Sequence, residues 1–324
     1  MARLWFLAVA LVILLSAGNS LAGRNKNKNQ NKNKIQNRNK NQNKNIPMSR
    51  LTPMSKKATT NKNTPMDPQR LANLVKGILD RYQPTLNGNP IMFAMAVSIP
   101  YNQKRKKFDL DEVRDDRAAV RNKIEKCLVY TGKDIVAATV LKYDKVKEQC
   151  PDTPVEWREL LRGCPNVRTW AEFESNLCPL DVRNKNLDAM KKKNQLEDHG
   201  EYRVLQHFDT LVKRRTKKSL LLFYSWGSPC DYKCTNQNYQ NNILNAIANI
   251  KKWKNYVFVF SKPYKRPREV NQQTLQSNAR TALTNLGNRI DLSNIFRCDK
   301  GNNGRTACKS CSDNGKVSDF CVSG

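Results

Sequence analysis

Ser219-Leu220-Leu221-Leu222-Phe223-Tyr224-Ser225-Trp226-Gly227-Ser228-Pro229-Cys230-Asp231-Tyr232-Lys233-Cys234 is the stretch on which the reading of this chain turns. Ser219 to Trp226 has the apolar run of a buried strand. Pro229, just before the first of two thiols, suits a strand-to-helix junction, where the second helix's N-terminus would favour thiolates. Upstream, His199-Gly200-Glu201 opens a helical pattern in which Tyr202, Leu205, Phe208 and Val212 recur. One imidazole and two thiols, His199, Cys230 and Cys234, make a three-ligand set for zinc. Three protein ligands leave a fourth position for water, which separates a catalytic site from a closed structural one. Glu201, two residues after His199, can face that position without competing for the ion. Cys230 and Cys234 alone would read better as a disulfide; the flanking His-x-Glu and Ser-Pro favour the metal.

The order of these parts, H-x-E and then P-C-x-x-C, resembles the zinc-dependent cytidine deaminase superfamily. The wording is most similar to the AID/APOBEC-type polynucleotide deaminases, whose second motif reads S-W-S-P-C, and to secreted toxin-type deaminases. Gly227 is inserted into that motif here, and three residues rather than two separate the cysteines. The resemblance runs from about residue 68 to 298, with its specific part confined to the two motifs. It implies that Glu201 takes the proton of a water and returns it to the ring nitrogen and the departing ammonia. It also implies a pocket wall from Trp226 and Ser228. The segment Ser261-Lys262-Pro263-Tyr264-Lys265-Arg266-Pro267-Arg268 occupies the position where polynucleotide deaminases contact bases beside the target. Tyr264 would stack there, and Lys262, Lys265, Arg266 and Arg268 would meet phosphates or another polyanion; the plain alternative is a solvated basic loop.

Composition sets the frame. Met1 to Ala22 reads as a secretory signal: Arg3 gives the positive start, Leu7 to Leu15 the apolar run, and Ser20-Leu21-Ala22 the cleavage site. The run is shorter than the ~20 residues a membrane span needs, and no later segment qualifies. A secreted, extracellular protein in an oxidising compartment is expected to use its cysteines in disulfides. With Cys230 and Cys234 holding metal, eight of the ten remain, enough for four bridges whose pairing spacing does not choose. The tail, Cys298-x9-Cys308-x2-Cys311-x9-Cys321, fits two disulfides better than a four-cysteine zinc site, because only one tight Cys-x-x-Cys pair is present. A net charge of +30 calls for an anionic partner, nucleic acid or another polyanion. Residues 23–66 carry twelve Lys or Arg and no acid, and their Asn/Lys-rich run has too little apolar surface to fold.

Alternating elements define the fold class. Asp67-Pro68 caps a helix carrying Leu71, Leu74, Val75, Ile78 and Tyr82, and Ile91 to Ile99 is a buried strand ended by Pro100. A charged helical stretch runs from Leu110 to Lys126. Capping boxes stand at Thr153-Pro154-Val155-Glu156 and Thr169-Trp170-Ala171-Glu172. Residues 236–253 read as an amphipathic helix, Tyr256–Phe260 as a strand, Leu275 to Leu286 as a helix and Ile290 to Phe296 as a last strand. The expectation is an α/β fold: a three-layer α/β/α sandwich with a five-stranded mixed sheet, deaminase-like, its central part largely parallel. It carries a disulfide-stapled helical insertion and a disordered basic N-terminal arm. The boundaries are a signal at 1–22, arm and Pro-Met linker at 23–66, a deaminase-like domain at 67–297 with the insertion at about 102–190, and a Cys-rich tail at 298–324.

The function that follows is a secreted zinc-dependent deaminase removing the exocyclic amine of a nucleobase, cytosine ahead of adenine, in a nucleic acid or nucleotide. Its rival is a catalytically inactive, basic extracellular-matrix or polyanion-binding protein on the same scaffold. A ribonuclease is disfavoured: the only histidines, His199 and His207, would lie ~12 Å apart along one helix.

Overall fold

The computed structural model describes residues 66–216, 218–265, 271–301 and 304–324. The expected signal, nearly all of the basic arm, and Arg266 and Arg268 lie outside the described residues. Helix α1 (Pro68–Tyr82) starts as expected, with Asp67 Oδ1 accepting from Arg70 N at 2.8 Å and proline in the first turn. One mixed sheet of eight strands follows. In chain order these are β1 (Phe93–Asn102), β2 (Lys107–Phe108), β3 (Tyr130–Thr131), β4 (Ile135–Thr139), β5 (Ser219–Gly227), β6 (Asn255–Lys262), β7 (Ile295–Lys300) and β8 (Thr306–Ser310). The spatial order is β8-β7-β6-β5-β1-β4-β3, with β2 on the end of β1. β5, β6 and β7 run parallel, while β1 is antiparallel to both its neighbours.

The sheet therefore has eight strands where five were expected. β2 and β3 are two-residue ladders too short to leave a pattern. β8 is a hairpin return that the cysteine-rich tail disguised. Residues 135–139 lie inside the stretch expected to be helical insertion, yet Ile135, Val136, Ala137, Ala138 and Thr139 are all buried as a strand of the main sheet.

Both faces of the sheet are covered, which is why its strands read as continuous apolar runs. On one face Phe93, Met95, Val97, Leu222, Tyr224, Val257 and Val259 pack with Leu71, Val75 and Ile78 of α1 and with Val120 and Ile124 of α2 (Arg117–Glu125). On the other, Ala94, Ala96, Ala138, Phe223, Phe258 and Phe260 meet residues of later helices: α6 (Gly200–Gln206), α7 (Asp209–Arg214), α8 (Leu244–Ile247) and α9 (Gln272–Ile290). Phe223 and Phe258 stack there with centroids 5.2 Å apart. Among the described residues no helix is long and apolar enough to cross a membrane.

The insertion has a core of its own, in which Trp157 and Trp170 meet edge to face at 5.4 Å and Phe173 joins them. Its helices are α3 (Tyr143–Gln149), α4 (Trp170–Glu174) and α5 (Leu180–Lys192). Bridges Cys127–Cys150 and Cys164–Cys178 staple it, and Cys298–Cys308 and Cys311–Cys321 staple the tail, using all eight expected cysteines. The Thr169 capping box is present, with both reciprocal bonds. The Thr153 box is not: Thr153 Oγ1 donates to Cys150 O, and Val155 N to Arg168 O, so no helix starts there.

Four other boundaries differ. The Leu110–Lys126 helix is a 3-10 turn at Leu110–Glu112 followed by α2, which Asp116 caps through Ala119 N. The run after His199 breaks at His207-Phe208 into α6 and α7. The amphipathic pattern at 236–253 yields only α8 and a 3-10 turn. Asn236 Oδ1 and Asn242 Oδ1 capture Asn238 N and Leu244 N, the local side-chain bonding that competes with helix. Ile290 closes α9, so the last expected strand begins at Ile295.

Candidate metal centre

The centre forms where the start of α6 meets the turn after β5. Gly200, the first residue of α6, lies so close to the sheet that a Cβ there would sit 3.1 Å from Ala138 O, Ala94 N and Ala94 Cβ. His199 caps the helix in extended conformation, and Glu201 sits in its first turn. On the other side, Ser228 N donates to Lys262 O at 2.8 Å, turning the chain away from β5. Residues 231–235 are turns, not the expected second helix. The turn is closed by Thr235, whose N and Oγ1 both donate to Cys230 O at 3.0 Å. Cys234 N donates to Cys230 Sγ at 3.3 Å, so one local amide supplies what a helix N-terminus would have supplied.

His199 Nδ1 lies 3.2 Å from Cys234 Sγ and 3.6 Å from Cys230 Sγ. Both sulfurs are free and buried. The three ligand atoms lie within 4.8 Å of one another. Zinc at ~2.3 Å from sulfur and ~2.0–2.1 Å from nitrogen, with tetrahedral angles, puts N and S ~3.6 Å apart. The donor set and its spacing fit a zinc ion.

The titration of the metal-free site follows from burial and charge. Burial alone would raise the Cys230 thiol, but hydrogen bonds from Cys234 and His199, with the imidazole charge, bring it down to about 4. Sharing that hydrogen bond with the Cys230 thiolate, together with burial, pushes Cys234 up. Burial works against protonating His199, yet the Cys230 thiolate outweighs it and raises the imidazole. Glu201, 6% exposed, is raised by burial against the opposing pull of His199, its own backbone N–H and Ser225. Ser225 Oγ donates to Glu201 Oε1 at 2.8 Å.

The other expected site residues fare differently. Tyr264 stands beside the centre, its ring 6.3 Å from the imidazole, and Tyr232 flanks the same ring at 6.3 Å. The two tyrosine hydroxyls bond at 3.1 Å. Ser228 is buried, and its Oγ accepts from Tyr264 N at 2.9 Å, so it sets the loop. Trp226 is half-buried near the end of β5; Gly227 continues the strand opposite Lys262, and the ring contacts to His199 come from the tyrosines. Lys262 Nζ pairs with Asp299 at 2.7 and 2.9 Å, and Lys265 Nζ donates to Gly324 O at 3.4 Å.

Ser225 and Tyr232 were not anticipated as site residues. Ser225 is legible as a strand residue and as the first serine of the S-W-S-P-C-like motif, but not as a partner of Glu201, and Tyr232 only as a spacer between cysteines. The insertion also reaches the centre: Trp157 Nε1 donates to Asp198 Oδ2 at 2.7 Å, and Glu156 pairs with buried Arg203 of α6 at 2.5 Å. A cavity of about 350 Å³ lies along this contact, lined by Trp157, Asp198, Tyr202, Arg203 and His207 but by neither Cys230 nor Cys234.

Residues 171–324 match a family model, that of Secreted Novel AID/APOBEC-like Deaminase 1. The match supports the deaminase-like superfamily. It takes in every candidate ligand, Glu201 and both tail disulfides, and begins inside the insertion. No curated protein and no solved structure gives a significant match.

Proposed function

We propose that this chain is a secreted, zinc-dependent nucleobase deaminase acting on cytosine, ahead of adenine, in a nucleic acid or nucleotide. The observation that carries the reading is the convergence of His199 Nδ1 on two free sulfurs beside a buried, hydrogen-bonded carboxylate. The match to a family of secreted AID/APOBEC-like deaminases supports the class, and helices on both faces of a mixed sheet support the three-layer architecture.

Zinc held by His199, Cys230 and Cys234 would polarise a water and bring its pKa to about 7. The protein's own contribution is proton handling. Glu201, raised by burial, would carry the water's two protons in turn, the first to the base nitrogen and the second to the departing amine, which leaves as ammonia. Ser225 holds Oε1, leaving the carboxylate's other oxygen for transfer. Tyr232 and Tyr264 offer ring faces at the rim, and the +30 chain draws a polyanion towards them. Lys265, Arg266 and Arg268 extend that contact, and the signal at 1–22 directs export.

The test is ammonia release and cytosine-to-uracil conversion by the zinc-loaded chain on single-stranded DNA, RNA and nucleotides, with Glu201→Gln as control. Zinc-loaded protein that leaves cytosine and adenine intact in all three would return the protein to the polyanion-binder reading.

A further inference from the structure

His199 faces the sulfurs through Nδ1. A coordinating Nδ1 carries no proton, so the neutral ring bears its proton on Nε2. The His199 side chain is 12% exposed, so that N–H is largely turned from bulk solvent, and an acceptor beside it would fix the ring. Glu197 Oε1 lies 3.9 Å from Nε2, a carboxylate oxygen beside that nitrogen just beyond hydrogen-bond length. The other carboxylate oxygen, Oε2, is 3.3 Å from Lys233 Nζ, which also donates to Glu197 O at 3.2 Å.

Lys233 is the unusual member. Its side chain is 3% exposed, although it sits in the short turn between the two cysteines. The rings of Tyr232 and Tyr239 flank its ammonium at 5.9 and 5.8 Å. A buried ammonium persists only where it is paired, and its partner is the carboxylate two residues before the metal histidine. Glu197 is itself fixed by the ladder that pairs it with Lys142 at the neck of the insertion.

We infer that Glu197 and Lys233 are positioning residues for the metal ligand: Glu197 accepts a hydrogen bond from the Nε2–H of His199 and so aims Nδ1 at the sulfurs, and Lys233 holds Glu197. The inference rests on the zinc reading above. The pair links the two-residue strand Glu197–Asp198, just before the histidine, to the turn that carries the cysteines without using a ligand atom. It also gives the longer Cys-x-x-x-Cys spacing a role, since that spacer includes the lysine. Outer-shell carboxylates of this kind set the tautomer and basicity of a ligating imidazole.

The experiment compares the full chain with Glu197→Gln and Lys233→Met. It measures zinc affinity by chelator competition, the absorption spectrum of the cobalt-substituted protein, and urea unfolding of the zinc-free form. Glu197→Gln is expected to weaken zinc binding about 10–100-fold and to shift the cobalt bands, while the zinc-free unfolding midpoint falls because Lys233 loses its partner, a loss that adding Lys233→Met should relieve without restoring the cobalt bands. Lys233→Met should fall in the same range, and the double variant little lower, because the lysine acts through the glutamate. Should Lys233→Met fail to fold, Glu197→Gln decides, being isosteric and at a partly exposed position. Wild-type zinc affinity and cobalt bands in Glu197→Gln would overturn the inference and leave the zinc reading standing. A wild-type chain that binds no zinc would overturn both.

Discussion

Replacing Gly200 tests how closely the metal helix rests on the sheet. A Cβ at this position would meet Ala138 O, Ala94 N and Ala94 Cβ, each at 3.1 Å. Two of these are main-chain atoms of β4 and β1, which are paired to each other and cannot retreat singly. Overpacking of this kind costs ~1–3 kcal/mol, while exchanging glycine for alanine within a helix returns ~0.5–1 kcal/mol. Gly200→Ala is therefore expected to lose about 1 kcal/mol. Gly200→Val adds two further carbons against the same strands and is expected to lose about 3 kcal/mol. The strain is relieved by lifting α6, which carries His199 on one side of the glycine and Glu201 on the other. Zinc affinity should therefore fall in the same order, glycine above alanine above valine. Urea unfolding of the zinc-free protein gives the first quantity and chelator competition the second. A valine variant with wild-type midpoint and wild-type zinc affinity would refute the close packing of α6 on β1 and β4.

Three further outcomes follow from the same geometry. Ser225→Ala removes a hydrogen bond to the charged form of Glu201, so the carboxyl rises further. A bond of ~1.5–3 kcal/mol to a charged group corresponds to ~1–2 pH units, and the acid limb of the kcat/KM profile should move up by that amount. Because burial raises Glu201 above its unfolded value, its contribution to the zinc-free protein is favourable below the ordinary carboxylate range. That contribution is lost as pH rises through the raised pKa. Glu201→Gln should then unfold at higher urea than wild type at neutral pH while releasing no ammonia. Finally, Cys230 is already a thiolate, with its pKa brought down to about 4, whereas Cys234 and His199 hold their protons more tightly than usual. Zinc uptake at neutral pH should release at least the Cys234 proton, measured by calorimetry in buffers of different ionisation enthalpy.

Much of the centre was legible because ligand chemistry leaves short, dense motifs. His199, Glu201, Cys230 and Cys234 could be read from residue type and spacing, and the structure brings the three ligand atoms together. The long strands and α1 were legible because apolar runs and a capped amphipathic face persist over many residues. What escaped depends on contacts across long separations. Ser225 reaches Glu201 across 24 residues, and Lys233 reaches Glu197 across 36, with no periodicity to announce either. β4 escaped because Ile135-Val136-Ala137-Ala138-Thr139 is only five residues long and has two alanines, poor strand formers, at its centre. The expected helix at 236–253 failed for the opposite reason: its apolar spacing was sound, but asparagine side chains took the amides a helix would have needed.

The four cystine cross-links each close a short loop, with separations of 23, 14, 10 and 10 residues. All of them lie in the insertion and the tail. By loop closure each contributes about 3 kcal/mol. Dithiothreitol, the usual safeguard for exposed or metal-seeking thiols, would thus defend Cys230 and Cys234 while unpicking the periphery that braces them. With zinc bound as proposed, handling in zinc-replete, thiol-free buffer would protect both kinds of sulfur at once.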